Sequence, residues 1–253
     1  MNNLIKFTLI FLISLSVEAR NKGETEITTE DGIEVYQNEK FYLLKKNVRI
    51  VSDNFNLNAD NVKIVFKENL YDIAEINANG NVIFESFEFN LKGKSKILNF
   101  KVKKEELDLM GIGSELIMEN VIMISDGIIK VSNLNGNFSL KGINSELKNE
   151  NILIRGEDIE GTFSDNQNQK EISYLNVLDK NISYVKNNNT EMYAKKIIFD
   201  EDKSLIELSE NVTIIRDGEQ ISGDYGTLNT KDNSYKIKST KNKVKVVIKN
   251  NEQ

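Results

Sequence analysis

The sequence predicts an all-β fold, and three observations support this prediction. Apolar and polar residues alternate in short runs, as they do in strands with one buried face. Turn-forming dipeptides such as Asp-Gly separate these runs. The chain contains no proline, so every backbone N–H is available to a hydrogen-bonded ladder.

The alternating runs follow one another along the chain after residue 30. The clearest are 47–50, 55–57, 82–84, 87–91 and 243–248. The turn signals between runs are Asp31-Gly32, Asn79-Gly80-Asn81, Asp126-Gly127 and Asp217-Gly218. The segment from Lys101 to Leu109 is the one place where the sequence admits a short helical turn. The prediction is therefore a succession of strands with almost no helix.

The first 19 residues have the features of a secretory signal peptide. Lys6 supplies the positive charge, and the 11 residues from Phe7 to Val17 carry none. A membrane span needs about 20 apolar residues, so cleavage after Ala19 is favoured over a retained anchor. We predict a signal peptide over 1–19, a flexible N-terminal segment over 20–31 and a β domain over 32–250.

Composition excludes several classes of function. The net charge of −6 is the opposite of what a nucleic-acid-binding protein needs. The chain has no cysteine and no histidine, which removes disulfides, thiolate and imidazole metal sites, and the common catalytic triads. The remaining acidic residues, such as Asp200-Glu201-Asp202, fall mainly in predicted turns and lack the spacing of a calcium loop. We predict no catalytic residues, no metal, no cofactor and no enzyme activity.

A pair formed by asparagine and a β-branched residue recurs along the chain. The intervals between these asparagines are 34, 39, 31, 30 and 30 residues. A period of 30 to 40 residues without helix indicates stacked β units, each of which covers the apolar face of its neighbour. The asparagines are Asn47, Asn81, Asn120, Asn151, Asn181 and Asn211.

The repeats resemble a known family. The fullest copy contains Ala194-Lys-Lys-Ile-Ile-Phe-Asp200, then Glu210-Asn-Val-Thr-Ile-Ile215 and Ile221-Ser-Gly-Asp-Tyr225. Earlier copies include Ala59-Asp-Asn-Val-Lys-Ile64 and Gly80-Asn-Val-Ile-Phe84. This order is similar to the OstA-like repeat of periplasmic lipopolysaccharide-transport proteins of the LptA type. The match is good over 32–76 and 194–239 and looser between them, and this chain is longer than the family's pattern.

The resemblance implies a fold, a function and partners. The fold is an open, slightly twisted β-jellyroll of V-shaped strands stacked along one axis. The function is the transport of lipopolysaccharide across the periplasm of a Gram-negative cell in outer-membrane biogenesis, with the acyl chains shielded in the interior. The partners are LptC-like inner-membrane and LptD-like outer-membrane proteins, reached by edge-strand pairing, together with head-to-tail copies of the chain itself.

Two sets of residues are candidates for these roles. Apolar members of the alternating runs would line a lipid-binding trough. These residues are Val48, Ile50, Phe55, Leu57, Val82, Phe84, Phe89, Leu91, Val212 and Ile214. They could instead form an ordinary core, since every β-sandwich has such an apolar stripe. A charge at Ile50 or Phe84 is predicted to block lipid loading and to leave the fold largely intact. The candidate edge strands for pairing with partners contain Val35, Tyr36, Val244, Val246 and Ile248. Alternatively, the lysines near the C-terminal edge serve only to keep that edge soluble.

Other hypotheses remain open from the sequence. One is an LptC-like component that keeps its N-terminal anchor. Another is a β-solenoid that binds or cleaves polysaccharide, since stacked coils would also repeat. A third is a surface filament subunit that polymerises by edge pairing and has no affinity for lipid.

Overall fold

The computed structural model of the chain describes residues 21–68, 72–149, 152–166, 169–240 and 243–248. These residues form 18 antiparallel strands of one sheet and a single turn of 3₁₀ helix, Val102–Lys104. The all-β prediction is confirmed, and the helical turn lies where the sequence admitted one. The strands are β1 (Glu26–Thr28), β2 (Ile33–Tyr36), β3 (Phe41–Val51), β4 (Phe55–Phe66), β5 (Ile73–Ser86), β6 (Leu91–Lys101), β7 (Glu106–Met110), β8 (Ser114–Met118), β9 (Val121–Ser125), β10 (Ile128–Ser132), β11 (Asn137–Lys148), β12 (Ile152–Asn166), β13 (Gln169–Asn187), β14 (Thr190–Asp200), β15 (Leu205–Arg216), β16 (Glu219–Asn229), β17 (Tyr235–Lys238) and β18 (Lys245–Ile248).

The strands stack in chain order as a series of V-shaped layers, which we call rungs. A long strand that bends at its middle makes one rung, as in β3 to β6 and β11 to β16. At four levels two short strands share a rung: β1 with β2, β7 with β8, β9 with β10, and β17 with β18. The described residues thus form fourteen rungs, about 60 Å of stack at the usual strand spacing.

The two halves of each rung belong to two facing sheets. Sheet I contains β2, β7, β10, β17 and the halves of the long strands that pair with them. Sheet II contains β1, β8, β9, β18 and the other halves. Alternate side chains of both sheets are buried in one hydrophobic core, so the sheet must fold over on itself at the bends. This is the open β-jellyroll that the resemblance implies.

The bends explain three of the six repeat asparagines. The strand register shifts between Lys45 and Val48, between Asn79 and Val82, and between Ser209 and Val212. Each shift contains a repeat asparagine with positive φ: Asn47 at 50°, Asn81 at 48° and Asn211 at 57°. Asparagine tolerates this left-handed conformation better than most residues. The repeat therefore marks the line where the two sheets join.

The other repeat asparagines differ. Asn181 lies in the irregular region of β13 between Leu178 and Ser183. Asn120 lies in the turn between β8 and β9, which connects two rungs within sheet II. Asn151 lies outside the described residues.

Some predicted turns and strands need correction. Asn79-Gly80-Asn81 does not separate two strands but lies inside β5, where it bends the strand. Asp31-Gly32 and Asp126-Gly127 each break a rung at the junction of the sheets, whereas Asp217-Gly218 forms a hairpin turn between β15 and β16. The alternating run 87–91 is not a strand: residues 87–90 turn between β5 and β6.

The N-terminal predictions meet the structure only in part. The predicted signal peptide, 1–19, lies outside the described residues. The segment 20–31, expected to be flexible, includes β1, which pairs with Arg49 to Val51 of β3. No membrane-spanning helix is found in the part of the chain that the structure describes.

Replacing Gly80 with alanine is expected to destabilise the protein by about 2 kcal/mol. Gly80 has φ of 79°, and a Cβ added there would clash with the carboxylate of Asp60, which itself accepts hydrogen bonds from Asn81. Gly218 is a matched control, because it has φ of 85° but nothing within 4 Å of an added Cβ. Gly218→Ala should cost only the backbone strain, about 1 kcal/mol. Urea unfolding midpoints would compare the two, and equal losses would contradict the steric argument.

Candidate apolar binding site

The structure divides the predicted trough residues into two groups. Seven are buried in the core between the sheets: Val48, Ile50, Leu57, Val82, Phe84, Val212 and Ile214. Phe55, Phe89 and Leu91 are only half-buried. Val212 and Ile214 belong to β15, many rungs away from the others. Most of the predicted trough residues therefore lie in the core, and Phe55, Phe89 and Leu91 lie where this core reaches the surface.

That part surrounds a small apolar cavity between the two sheets. Phe55, Phe84, Phe89 and Leu91 line it from sheet II, and Phe100 is among the residues facing them from sheet I. The rings of Phe89 and Phe100 meet edge to face, with centroids 6.4 Å apart. The cavity volume is about 40 Å³, little more than the volume of one water molecule in the liquid, about 30 Å³. As it stands, the cavity is too small for an acyl chain.

Phe89 is held at this position by a turn. Asn90 adopts a φ of 46°, which reverses the chain, and the backbone N–H of Phe89 lies 3.4 Å from the hydroxyl oxygen of Ser86. Since Phe89 belongs to no strand, its ring can move without breaking a sheet hydrogen bond. The alternation of residues 87–91 suggested a buried stripe, but it gave no sign of this turn.

The sequence did not predict more than half of the residues that line the cavity. Leu98, Phe100, Leu107, Met118 and Val131 also line it but were not predicted. The alternation of Leu98 with Phe100 and of Leu107 with Leu109 is visible in the sequence and could have identified two of these strands. Nothing local in the sequence indicates that they face Phe55 and Phe89 across the interior.

Within the described residues, the two sheets are joined along one side only. Chain connections between the sheets run through the bends, whereas the hairpins on the opposite side connect strands of the same sheet. We call this opposite side the margin. Two of the hydrogen bonds between described residues cross it: Lys170 N donates to Oε2 of Glu119 at 3.2 Å, and Nη1 of Arg216 donates to the carbonyl of Asn233 at 2.8 Å. Parting the sheets at the margin would leave both backbone ladders intact.

Both ends of the stack expose apolar side chains. Within the described residues β2 pairs only with β3, and β18 pairs only with β16. Val35 is opposite Tyr42, and Val246 is opposite Ile221; their exposed fractions are 47% and 52%. Tyr36 stacks on Phe41 of β3, Ile248 is exposed in β18, and exposed Val244 directly precedes that strand. The predicted edge residues therefore all lie on or beside the end rungs.

A larger, polar groove lies on the outer face of sheet I beside the cavity. Its volume is about 540 Å³, and it crosses β7, β10, β11 and β12. Nζ of Lys101 donates a hydrogen bond to Oε2 of Glu106 at 3.1 Å. This hydrogen bond raises the pKa of the lysine above its ordinary value. Nζ of Lys130 lies 3.8 Å from Oδ2 of Asp108, a longer ion pair. The groove was not predicted.

No cluster of three or more potential metal-binding side chains occurs among the described residues. Burial and a hydrogen bond to Glu191 raise the pKa of Tyr193 to about 12. Tyr193 packs against Tyr184 on the outer face of sheet II, with ring centroids 5.0 Å apart. The raised pKa of Tyr193 is therefore explained by its packing in a cross-strand pair of tyrosines.

Comparison of the sequence with protein-family models and with curated proteins gives no match. Among solved structures, one that is similar is described as LptH, the LptA homologous periplasmic component of the conserved lipopolysaccharide transport device from Pseudomonas aeruginosa. The identity is 12% and the TM-score is 0.42, over 51% of this chain and 95% of that chain. The neighbour comes from the family that the repeats resemble.

Proposed function

We propose that this protein is an exported, non-catalytic carrier that shields the acyl chains of lipopolysaccharide in the periplasm and bridges the two membranes. The observation that carries the proposal is an apolar interior that runs through all rungs and remains exposed at both ends. If the apolar interior were closed at the two ends of the stack, the end strands would carry polar side chains or would be covered by other residues. Here Val35 at one end and Val246 at the other present apolar side chains to solvent.

The energetics suit a carrier. Each methylene removed from water is worth about 0.8 kcal/mol, so ten methylenes of an acyl chain contribute roughly 8 kcal/mol. Such a chain can be held without covalent chemistry. The cavity of about 40 Å³ is too small for an acyl chain, so loading requires movement of the sheets at the margin. That movement exposes apolar surface, which the entering acyl chain covers again.

The bridging role depends on the end rungs. A strand with an unpaired edge and an exposed apolar face can accept the edge strand of another molecule and continue the sheet. Pairing of β2 in one copy with β17 of the next, and of β1 with β18, would continue the hydrogen-bonded ladder of each sheet and the apolar interior between them. LptC-like and LptD-like proteins would use the same two ends.

Native mass spectrometry of the mature protein, purified from the periplasm of its own cell, would test the proposal. We expect a co-purifying multi-acylated glycolipid and a ladder of oligomers. The same protein stripped of lipid should take up added lipopolysaccharide. Lipid-free monomers that take up none would contradict the proposal and favour a polysaccharide-binding protein.

A further inference from the structure

We propose that a glycolipid enters this protein from the side, midway along the stack, with its sugar head group in the polar groove of sheet I and one alkyl chain between the sheets. This inference rests on the proposed carrier function and adds to it an entrance and a head-group site. It concerns the turn between β10 and β11, residues 133–136, where the apolar cavity and the polar groove meet.

The two spaces lie on opposite faces of the same strands. Val131 lines both. Consecutive residues point alternately into one and the other: Phe100 lines the cavity and Lys101 the groove, and Leu107 lines the cavity and Glu106 the groove. Since side chains of a strand alternate between its faces, a molecule that passes over the tip of sheet I would contact an apolar surface on one side and a polar surface on the other. Such a molecule must be amphipathic.

The turn between β10 and β11, at the margin of sheet I, carries an apolar side chain in solvent. Leu134 is 65% exposed at the turn between β10 and β11, flanked by Asn133 on the cavity side and Asn135 on the groove side. An alkyl chain that crosses the margin here would pass over Leu134 and meet Phe89. Because Phe89 lies in a turn, displacement of its ring would open the cavity without loss of strand pairing.

The composition of the groove indicates the head group. Its two lysines, Lys101 and Lys130, are outnumbered by three acidic residues, Glu106, Asp108 and Glu160, so the groove has no positive excess for a phosphate or sulfate. The groove is lined by both donors and acceptors, which suits hydroxyl groups, since each hydroxyl both donates and accepts.

An aromatic ring completes the groove. Tyr174 of β13, 41% exposed, lines the groove, and an aromatic ring with a polar tip is a common contact for a ligand with apolar and polar sides. Together with the mixture of donors and acceptors, this ring favours a sugar.

Single cysteine variants can report the path, because the chain has no cysteine of its own. We would label Leu134→Cys with a polarity-sensitive dye and add n-dodecyl maltoside below its micelle concentration. A blue shift is expected. The matched control is Ile143→Cys, an exposed isoleucine (79%) at a bend of β11 on the side away from the margin, which should not respond. Val246→Cys, labelled in the same way, reports entry through the end of the stack.

The head-group assignment needs a second comparison. Dodecylphosphocholine has the same alkyl chain without the sugar, and it should bind more weakly than the maltoside. Tyr174→Ala should weaken maltoside binding about tenfold, the loss expected for an aromatic contact, and leave phosphocholine binding unchanged. Tyr225→Ala, at an exposed tyrosine of β16 outside the groove, is the control and should change neither.

The outcomes separate the inference from the proposed function. A shift at Val246 but not at Leu134 would overturn the side entrance and leave the carrier function standing. Equal binding of both amphiphiles by the wild-type protein and by Tyr174→Ala would overturn the sugar site. Failure to bind either amphiphile or lipopolysaccharide would overturn the carrier function as well.

Discussion

Phe84→Glu is expected to lower the free energy of unfolding by about 5 kcal/mol or more, because it removes a buried aromatic ring and places an unpaired charge in the core. Phe84 is 3% exposed and lies between the sheets at the cavity. The sequence suggested that a charge at Ile50 or Phe84 would block lipid loading and leave the fold largely intact. Since Ile50 is also buried, at 5%, we now expect either change to unfold the protein first.

The neighbouring residue provides a matched control. Ile83 points outward from the same strand and is 58% exposed, so Ile83→Glu should change stability by no more than about 0.5 kcal/mol. Circular dichroism during urea unfolding would compare the midpoints of the two variants with that of the wild type. If Phe84→Glu unfolds at the same urea concentration as Ile83→Glu, Phe84 does not belong to a packed core.

Val246→Glu is expected to weaken self-association at least about tenfold, the effect of losing an apolar contact and introducing a charge at an interface. Val246 lies opposite Ile221 on the inward-facing side of the last rung, where another copy would dock. Because Val246 is exposed in the single chain, the change should leave its stability within about 0.5 kcal/mol. Sedimentation velocity at several concentrations would measure the association.

The adjacent residue again serves as control. Val247 lies opposite Gln220 and so faces outward, and Val247→Glu should associate like the wild type. Equal loss in both variants would show that the effect is one of charge and not of the apolar face. A wild-type protein that stays monomeric at all concentrations would contradict head-to-tail assembly.

A mixing experiment tests the polarity of the interface. In a head-to-tail contact each molecule uses two different surfaces, so Val35→Glu should damage one end and Val246→Glu the other. Each variant alone should be monomeric. A mixture should form dimers and nothing longer, because each variant retains the end that its partner needs. Failure of the mixture to form dimers would show that the ends do not pair with each other.

The sequence by itself determined the class of fold and the inward face of most strands. Alternation with a period of two forces one face of a strand into the core, which is why Val48, Leu57, Val82 and Ile214 are buried. The absence of proline and the 30- to 40-residue repeat predicted a stack of strands. The position of the 3₁₀ turn could also be predicted, since the charged run after Lys101 breaks the alternation of apolar and polar residues.

Only the tertiary structure decided which turns reverse the chain and which bend it. Asn79-Gly80-Asn81 and Asp217-Gly218 are similar turn signals, yet the first lies inside β5 and the second forms a hairpin. The difference arises from pairing: β5 continues beside β4 and β6 on both sides of Gly80, and these partners are distant in sequence. The cavity at Phe89 and the groove at Tyr174 depend in the same way on strands that meet across the interior or along a curved sheet. A local pattern fixes the face on which a side chain lies, but the residue opposite it is fixed by the packing of the whole stack.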